Sequence, residues 1–360
     1  MENKLHFKKL DALRFFAFFL VFWQHGFASS FSSLSSNNEV NKIIQTLCLT
    51  GGLGVHIFFV ISGFLITFLM IKEEEVSGEM NLKFFYVRRV LRIWPLYYLV
   101  MILGIFVLPH LFNTFHFSGS AIKNLLFLNN FDEDHSVANV SIAWSVAIEE
   151  QFYLFWPVLF ILFRNKLYLF TVSISLFILS TVYIIQNPVS SYFHTLGNIN
   201  FLMTGCMGAI LYAKYKMNPY INRFINLPLL YLAVFIAILV VVGSKLSGAI
   251  NYISLIVLPL TYIYTVINLV HRNNDASVSM FSKLGKYTYG MYLYHPLIII
   301  FSKIAFDFLK LSYRENAAQN FLLAILSLTL TIGVSIISYE YFEKKILKFK
   351  AKFSFVKTRV

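Results

Sequence analysis

The sequence predicts an all-α, polytopic transmembrane helical bundle of about ten spans, and three observations predict it. Of its 360 residues, 58% are hydrophobic and 13% charged, with a mean hydropathy of +0.68. A soluble surface of that size needs more polar residues. Apolar runs long enough to carry a helix across ~30 Å of hydrocarbon recur along the whole chain. Basic residues, finally, gather in alternate connections between those runs, which marks a positive inner side.

In order, the runs are placed at 10–30, 50–71, 90–110, 142–163, 167–186, 193–213, 227–243, 250–270, 288–309 and 320–341. The first begins like a signal peptide, with Lys4, Lys8 and Lys9 before it and Ala28-Ser29-Ser30 after it. Asp11 and Arg14 inside the run argue against cleavage, so it is read as a retained first helix. The connection over 111–141 is the longest, and its 121–131 part is read as interfacial or re-entrant. With no linker and no internal repeat, 1–360 reads as one membrane domain ending in a short basic tail at about 342–360. Cys48 and Cys206 suggest neither a disulfide nor a thiolate metal site. His110, His116, His135, His194 and His271 lack ligand spacing, and no metal is expected.

A cytoplasmic N-terminus divides Lys and Arg into 24 inside and six outside. That split predicts a cytoplasmic-membrane protein with both termini inside and an even number of spans. The net charge of +13 is then a topology signal and calls for no nucleic acid.

Depth sorts the embedded polar residues. Arg14 and His25 are eleven residues apart in the first run. Eleven steps of about 100° fall within roughly 20° of three turns, so the two share a face, roughly 16 Å apart along the axis. Ionisable residues kept on one face of an embedded helix read as functional. Counting along the runs puts His25, His56, Glu149 and Glu150 in one outer layer. Arg14, Arg88, Arg89 and Arg92 fall in an inner layer, with Glu340 and Glu343 as possible partners. Guanidinium clusters suit phosphates, which each fork binds in bidentate fashion. A His beside a carboxylate suits proton removal from a hydroxyl. The bland readings are a packing hydrogen bond for His25 and His56, topology alone for the arginines, a cap or structural ion pair for Glu149, and kink filling at Pro296 for His295. Gly51, Gly52 and Gly54 read as close helix contacts.

Five segments, in order, resemble the acyltransferase-3 family of integral membrane proteins, which move acyl groups onto sugars and related hydroxyls. They are Leu10-Asp11-Ala12-Leu13-Arg14 through His25, Gly51-Gly52-Leu53-Gly54-Val55-His56 through Ser62-Gly63, and Arg88-Arg89-Val90-Leu91-Arg92-Ile93-Trp94-Pro95. The fourth is Trp144-Ser145-Val146-Ala147-Ile148-Glu149-Glu150-Gln151-Phe152-Tyr153 and the last Leu284-Gly285 through Tyr294-His295. The resemblance implies acetyl-CoA or another acyl-CoA as cytoplasmic donor, His25 as central catalytic residue, and Arg14 with Arg88, Arg89 and Arg92 at the donor. Glu149 is expected to orient His25. His56, which stands where many relatives carry Asp, is placed at the substrate with Glu150, Trp144, Tyr153 and His295. The expected acceptor is a cell-surface glycan or a lipid-linked sugar. No hydrolase-like domain is appended, so a second transfer step would need a separate protein. The rival from another class is a polysaccharide or lipid exporter in which the buried charges relay protons.

Overall fold

The computed structural model describes residues 6–27, 50–112, 115, 117, 119–132, 140–218, 223–246, 248–272, 279–313 and 316–356. Cys48, Lys42, His116, His135 and the residues Ala28, Ser29 and Ser30 lie outside that set. Ten long helices follow one another: α1 (Lys8–Phe22), α2 (Gly51–Ser77), α3 (Leu82–Ile102), α4 (Trp144–Leu162), α5 (Lys166–Gln186), α6 (Thr195–Tyr215), α7 (Leu227–Leu246), α8 (Gly248–His271), α9 (Thr288–Phe308) and α10 (Ala317–Ser338). A short α11 (Lys344–Lys350) follows, and the described chain runs on to residue 356. The bundle is all-α among the described residues, as expected, and each predicted run falls on one helix.

Local chemistry sets the helix ends. Asn81, Asn165 and Asn316 accept the free N–H groups that open α3, α5 and α10, from Phe84, Leu167, and Ala318 with Gln319. The end of α2 is a left-handed Gly78, whose N–H returns to the Glu74 carbonyl.

Nine helices of the described residues are long and apolar enough to cross a membrane. α1 is not among them, because Asp11 and Arg14 lower its hydropathy. Yet His6, at the start of α1, and Lys350, at the end of α11, line one cavity. Nine crossings would leave these two chain ends on opposite faces; they lie on one, which makes α1 the tenth.

The centre of the bundle is α2, whose apolar stretch is 72% buried, whereas that of α7 is 6% buried. α7 therefore faces lipid nearly all round. Glycines let the central helices touch backbone to backbone. A Cβ on Gly63 would stand 2.1 Å from the Leu202 carbonyl oxygen of α6, and one on Gly205 would stand 2.3 Å from that of Val60. Gly54 meets the Ala17 carbonyl of α1 at 2.2 Å in the same sense, and Gly51 meets the Gln24 side chain. The glycines of α2 thus make the close contacts expected of them.

The 121–131 segment re-enters the bundle. Tyr97 and Tyr98, near the middle of α3, donate to the carbonyls of Asn124 and Leu125 at 2.7 and 3.0 Å. Gln151 of α4 donates to Phe127 O and Asn130 Oδ1, both at 2.8 Å. Irregular backbone at that depth survives because side chains satisfy it.

Gly63→Ala is expected to lower thermal stability by ~1–3 kcal/mol, since the α2–α6 backbones must separate to admit the methyl. A melting curve of the detergent-solubilised protein checks this, with Gly333→Ala, where nothing lies within 4 Å of an added Cβ, as the control.

Candidate active site

One cavity of about 240 Å³ opens between α1, α2, α3, α4, α9 and the C-terminal segment. Arg14, Arg89, Arg92, Lys286 and Lys350 line it, against Asp11, Glu149 and Glu343. Several of these charges are already matched. Asp11 accepts from Arg14 Nη1 at 3.1 Å and lies 2.7 Å from His6 Nε2. Lys286 is spoken for by Glu340 at 2.9 Å. Arg89 stacks its guanidinium over Phe85 and Tyr153, 5.4 and 5.6 Å from the ring centroids, and its buried Nε has no hydrogen-bond partner.

Glu149 sits among these cations rather than with the histidines. Its oxygens accept from Ser62 Oγ at 2.7 Å and from Tyr153 OH at 3.0 Å. Ser62 is six residues further along α2 than His56, ~9 Å at the helical rise. The outer layer expected from residue counting therefore divides, and Glu149 does not orient His25. Its hydrogen bonds to Ser62 and Tyr153 fix it at that level.

Glu150 lies away from the cavity. It accepts from Trp94 Nε1 at 2.9 Å, and its buried Oε1 has no partner. Arg88 leaves the donor set as well, because its guanidinium holds Glu73 at 2.5 Å and donates to the Phe353 carbonyl at 2.7 Å. Of the three expected arginines of α3, Arg89 and Arg92 face the cavity and Arg88 clamps structure. Tyr153 lines the cavity wall, whereas Trp144 is buried against Phe59, Tyr192 and Phe193.

His25 sits in a π-turn (Trp23–Phe27) that prolongs α1, a wide turn of the kind often found at functional sites. The ring beside it belongs to His295 of α9, with centroids 5.4 Å apart and edge to face. His295 is fully buried. Its Nδ1 lies 2.8 Å from the Tyr292 carbonyl oxygen. A carbonyl only accepts, so Nδ1 carries the proton and Nε2 keeps a bare lone pair, which has no partner.

Neither histidine lines the cavity. Between Arg14 and His25 on α1 stand Phe18 and Phe22, both buried and both packed on His295. Tyr292 and Phe58 close the same boundary from the cavity side, ring centroids 5.9 Å apart, with Tyr292 OH 2.6 Å from Ser145 Oγ. The shared face of Arg14 and His25 is thus filled with aromatic rings. His56 stands elsewhere, stacked on Phe201 of α6 at 3.9 Å with its Nδ1 unpartnered. Among the described residues no group of three or more His, Cys, Asp or Glu side chains could hold a metal ion.

Sequence reading missed Ser62, Tyr292, Lys286 and Lys350. Ser62 and Tyr292 lie inside motif segments but look like ordinary helix residues, and Lys350 is one lysine of a basic tail.

Arg88→Ala is expected to destabilise the fold by ~3–5 kcal/mol, because Glu73 stays buried without its partner. Thermal melts of Arg88→Ala and of the double variant with Glu73→Gln check it; the second change should restore most of the loss.

Three relatives share most of this chain. A peptidoglycan O-acetyltransferase OatA of Listeria monocytogenes is 26% identical over 332 residues, which are 83% of this chain and 51% of the relative. A putative O-acetyltransferase of Staphylococcus aureus (strain COL) is 29% identical over 331 residues, 82% of this chain and 52% of the relative. The O-acetyltransferase OatA of S. aureus (strain NCTC 8325 / PS 47) is 29% identical over 337 residues, 84% and 54%. The chain spans about half the length of these relatives. No solved structure matches. The acyltransferase-domain model of the acyltransferase-3 family matches residues 7–340, so the chain belongs to that family of membrane acyltransferases.

Proposed function

We propose that this protein transfers an acyl group, acetyl in the first instance, from cytoplasmic acyl-CoA to a hydroxyl of a cell-surface glycan or lipid-linked sugar. The observation that carries the reading is the separation of a cationic cavity from a pair formed by exposed His25 and buried His295, with aromatic rings between them. Phosphates need cations, and an alcohol nucleophile needs a base; the chain keeps the two apart. The acetyltransferase names of the relatives support acetyl as the group, and the name of the Listeria relative supports a glycan as acceptor class.

His6 and Lys350, near the two ends of the described residues, both line the cavity, and the 24-to-6 split of basic residues favours the cytoplasm for that side. The donor then enters where Arg14, Arg89 and Arg92 line the wall, and its phosphates take bidentate hydrogen bonds from the two α3 guanidiniums. The pantetheine arm extends outward past Ser62 and Tyr153 to Phe58 and Tyr292, which turn aside to admit the thioester.

His25 takes the proton of the acceptor hydroxyl. The oxygen attacks the thioester carbonyl, an ester C–O bond forms, the C–S bond breaks, and the departing thiolate recovers the proton from the imidazolium. His295 fits the role first expected of Glu149. With its proton on Nδ1, its unpartnered Nε2 offers His25 a hydrogen-bond acceptor during the reaction, which would fix the tautomer that leaves His25's other nitrogen free to act as base. Glu149 offsets the guanidiniums instead, through the hydrogen bonds it receives from Ser62 and Tyr153.

The test is acetyl-CoA turnover by the purified protein in nanodiscs, followed as free CoA with and without a surface-glycan fraction. His25→Ala should lower glycan-stimulated release by ~100-fold or more while CoA still binds. His295→Leu should lower kcat by ~10-fold at an unchanged KM for acetyl-CoA, because it removes the acceptor atom beside His25 and leaves the cavity intact. Release that ignores His25, or a His295→Leu effect confined to KM, overturns the assignment.

A further inference from the structure

A thioester carbonyl under attack gathers negative charge on its oxygen, and away from water that oxygen needs a hydrogen-bond donor. Few donors stand near the histidine pair. Arg14 is held by Asp11, and in the proposed reaction Arg89 and Arg92 are engaged by phosphates. His25 removes the acceptor's proton, and His295 Nε2 carries none to give. Phe18, Phe22 and Phe58 have apolar side chains. The other residue of the wall is Tyr292, three positions before His295 on α9, with ring centroids 6.0 Å apart.

Other hydroxyls along the cavity are committed to a carboxylate or a backbone carbonyl. Ser62 and Tyr153 donate to Glu149, Tyr289 to the Ile93 carbonyl and Thr288 to the Gly285 carbonyl. Tyr292 is held differently. Its hydroxyl lies 2.6 Å from Ser145 Oγ, and both hydroxyls stand near the Ile142 carbonyl, Ser145 at 3.2 Å and Tyr292 at 3.3 Å. A carbonyl only accepts. With the nearer Ser145 donating to Ile142, the Tyr292 proton rests on Ser145 Oγ. When the Tyr292 ring turns, Ile142 keeps Ser145, and the group that must find a new acceptor is the Tyr292 proton itself.

We propose that the Tyr292 hydroxyl is the donor that holds the thioester oxygen during transfer. This role rests on the reading of the protein as an acyl-CoA-dependent transferase. As the ring turns to admit the thioester, its O–H passes from Ser145 Oγ to the carbonyl oxygen. The acceptor oxygen then adds to the carbonyl carbon, the C=O π electrons move onto the carbonyl oxygen, and the Tyr292 bond becomes charge-assisted. Such a bond is stronger than the neutral one given up. On collapse the C=O re-forms, the C–S bond breaks, and the thiolate takes the proton held by His25. Tyr292 keeps its own proton throughout and returns to Ser145. Its ring bars water from the histidines, and the turning of that ring delivers the donor.

The experiment is glycan-stimulated CoA release by the full chain in nanodiscs, with CoA binding measured on the same samples. Wild type, Tyr292→Phe and Ser145→Ala are compared. Tyr292→Phe keeps the ring and leaves Ser145 on the Ile142 carbonyl, so no buried polar group is orphaned. It is expected to lower kcat by ~100-fold, with the KM for acetyl-CoA and the affinity for CoA within about twofold of wild type. Ser145→Ala removes the same resting hydrogen bond but spares the Tyr292 proton, so kcat should stay within about threefold. A ring that served as a gate alone would turn more freely in both variants. Tyr292→Phe as active as wild type, with His25→Ala inactive, therefore overturns the role of Tyr292 and leaves the transfer reading standing. Equal losses in the two variants overturn it as well, since they mark the hydroxyl pair as packing. Wild-type protein that neither binds nor cleaves acetyl-CoA overturns both.

Discussion

The constraint on which this structure depends is the cost of holding cations inside a membrane. Guanidinium and ammonium groups in a low-dielectric interior must be matched by carboxylates, ring faces or a bound anion. The chain uses all three. Arg88 is matched by Glu73, Arg14 by Asp11, and Lys286 by Glu340. Arg89 lies on the faces of Phe85 and Tyr153. Arg89 and Arg92 line the cavity beyond these pairs, and in the proposed reaction they are the groups that meet the donor's phosphates. The arginines of α3 are thus divided between Arg88, which clamps the fold, and Arg89 and Arg92, which line the cavity.

Satisfying that constraint also determines the packing. Glu73 can hold Arg88 only because α2 runs well beyond the hydrocarbon, from Gly51 to Ser77, and turns back at Gly78 into α3. The same clamp secures Phe353, and through it the C-terminal segment that closes the cavity. At the other end, Gly54 and Gly63 bring α1 and α6 into backbone contact with α2, so that the side chains of Ser62 and Val55 reach the cavity wall. Removing one carboxylate or one glycine would therefore be felt at the site as well as in the fold.

The architecture was legible because hydrophobic length and positive charge are sums over many residues. The ten runs follow from such sums; the 121–131 segment was left open between an interfacial and a re-entrant course, and the glycines of α2 were read one by one as close contacts. The site was legible in part. Arg14, Arg89 and Arg92 were found because an embedded cation is costly wherever it points, and Tyr153 because it belongs to a motif. Glu149 was assigned the wrong neighbours because depth counted along separate runs does not say how the helices cross or which faces they present to one another. Adjacent Glu149 and Glu150 also looked alike, although one enters the cavity and the other meets Trp94. His295 was visible, but its pairing with His25 was not, since that depends on the crossing of α1 and α9. Lys350 carried no signal of its own, because a lysine in a basic tail is distinguished only by the direction in which it turns.

The aromatic wall between the two halves follows from the chemistry proposed. A thioester held beside a general base in water hydrolyses, so the donor and His25 should meet only when an acceptor hydroxyl has taken the place of water. Phe18, Phe22, Phe58 and Tyr292 exclude water between the cationic cavity and the histidine pair. Of these, Tyr292 has hydrogen bonds to lose. Its hydroxyl meets Ser145 Oγ at 2.6 Å and the Ile142 carbonyl at 3.3 Å, and each such bond contributes only ~1 kcal/mol net. A ring held by so little can turn when the pantetheine arm arrives and return when it leaves. Tyr292 also ties the two ends of this arrangement together, because its carbonyl holds His295 Nδ1 while its hydroxyl holds the start of α4. One residue thus borders both the donor's proposed path and the histidine beside His25, so in the proposed reaction the wall and the base share a common support.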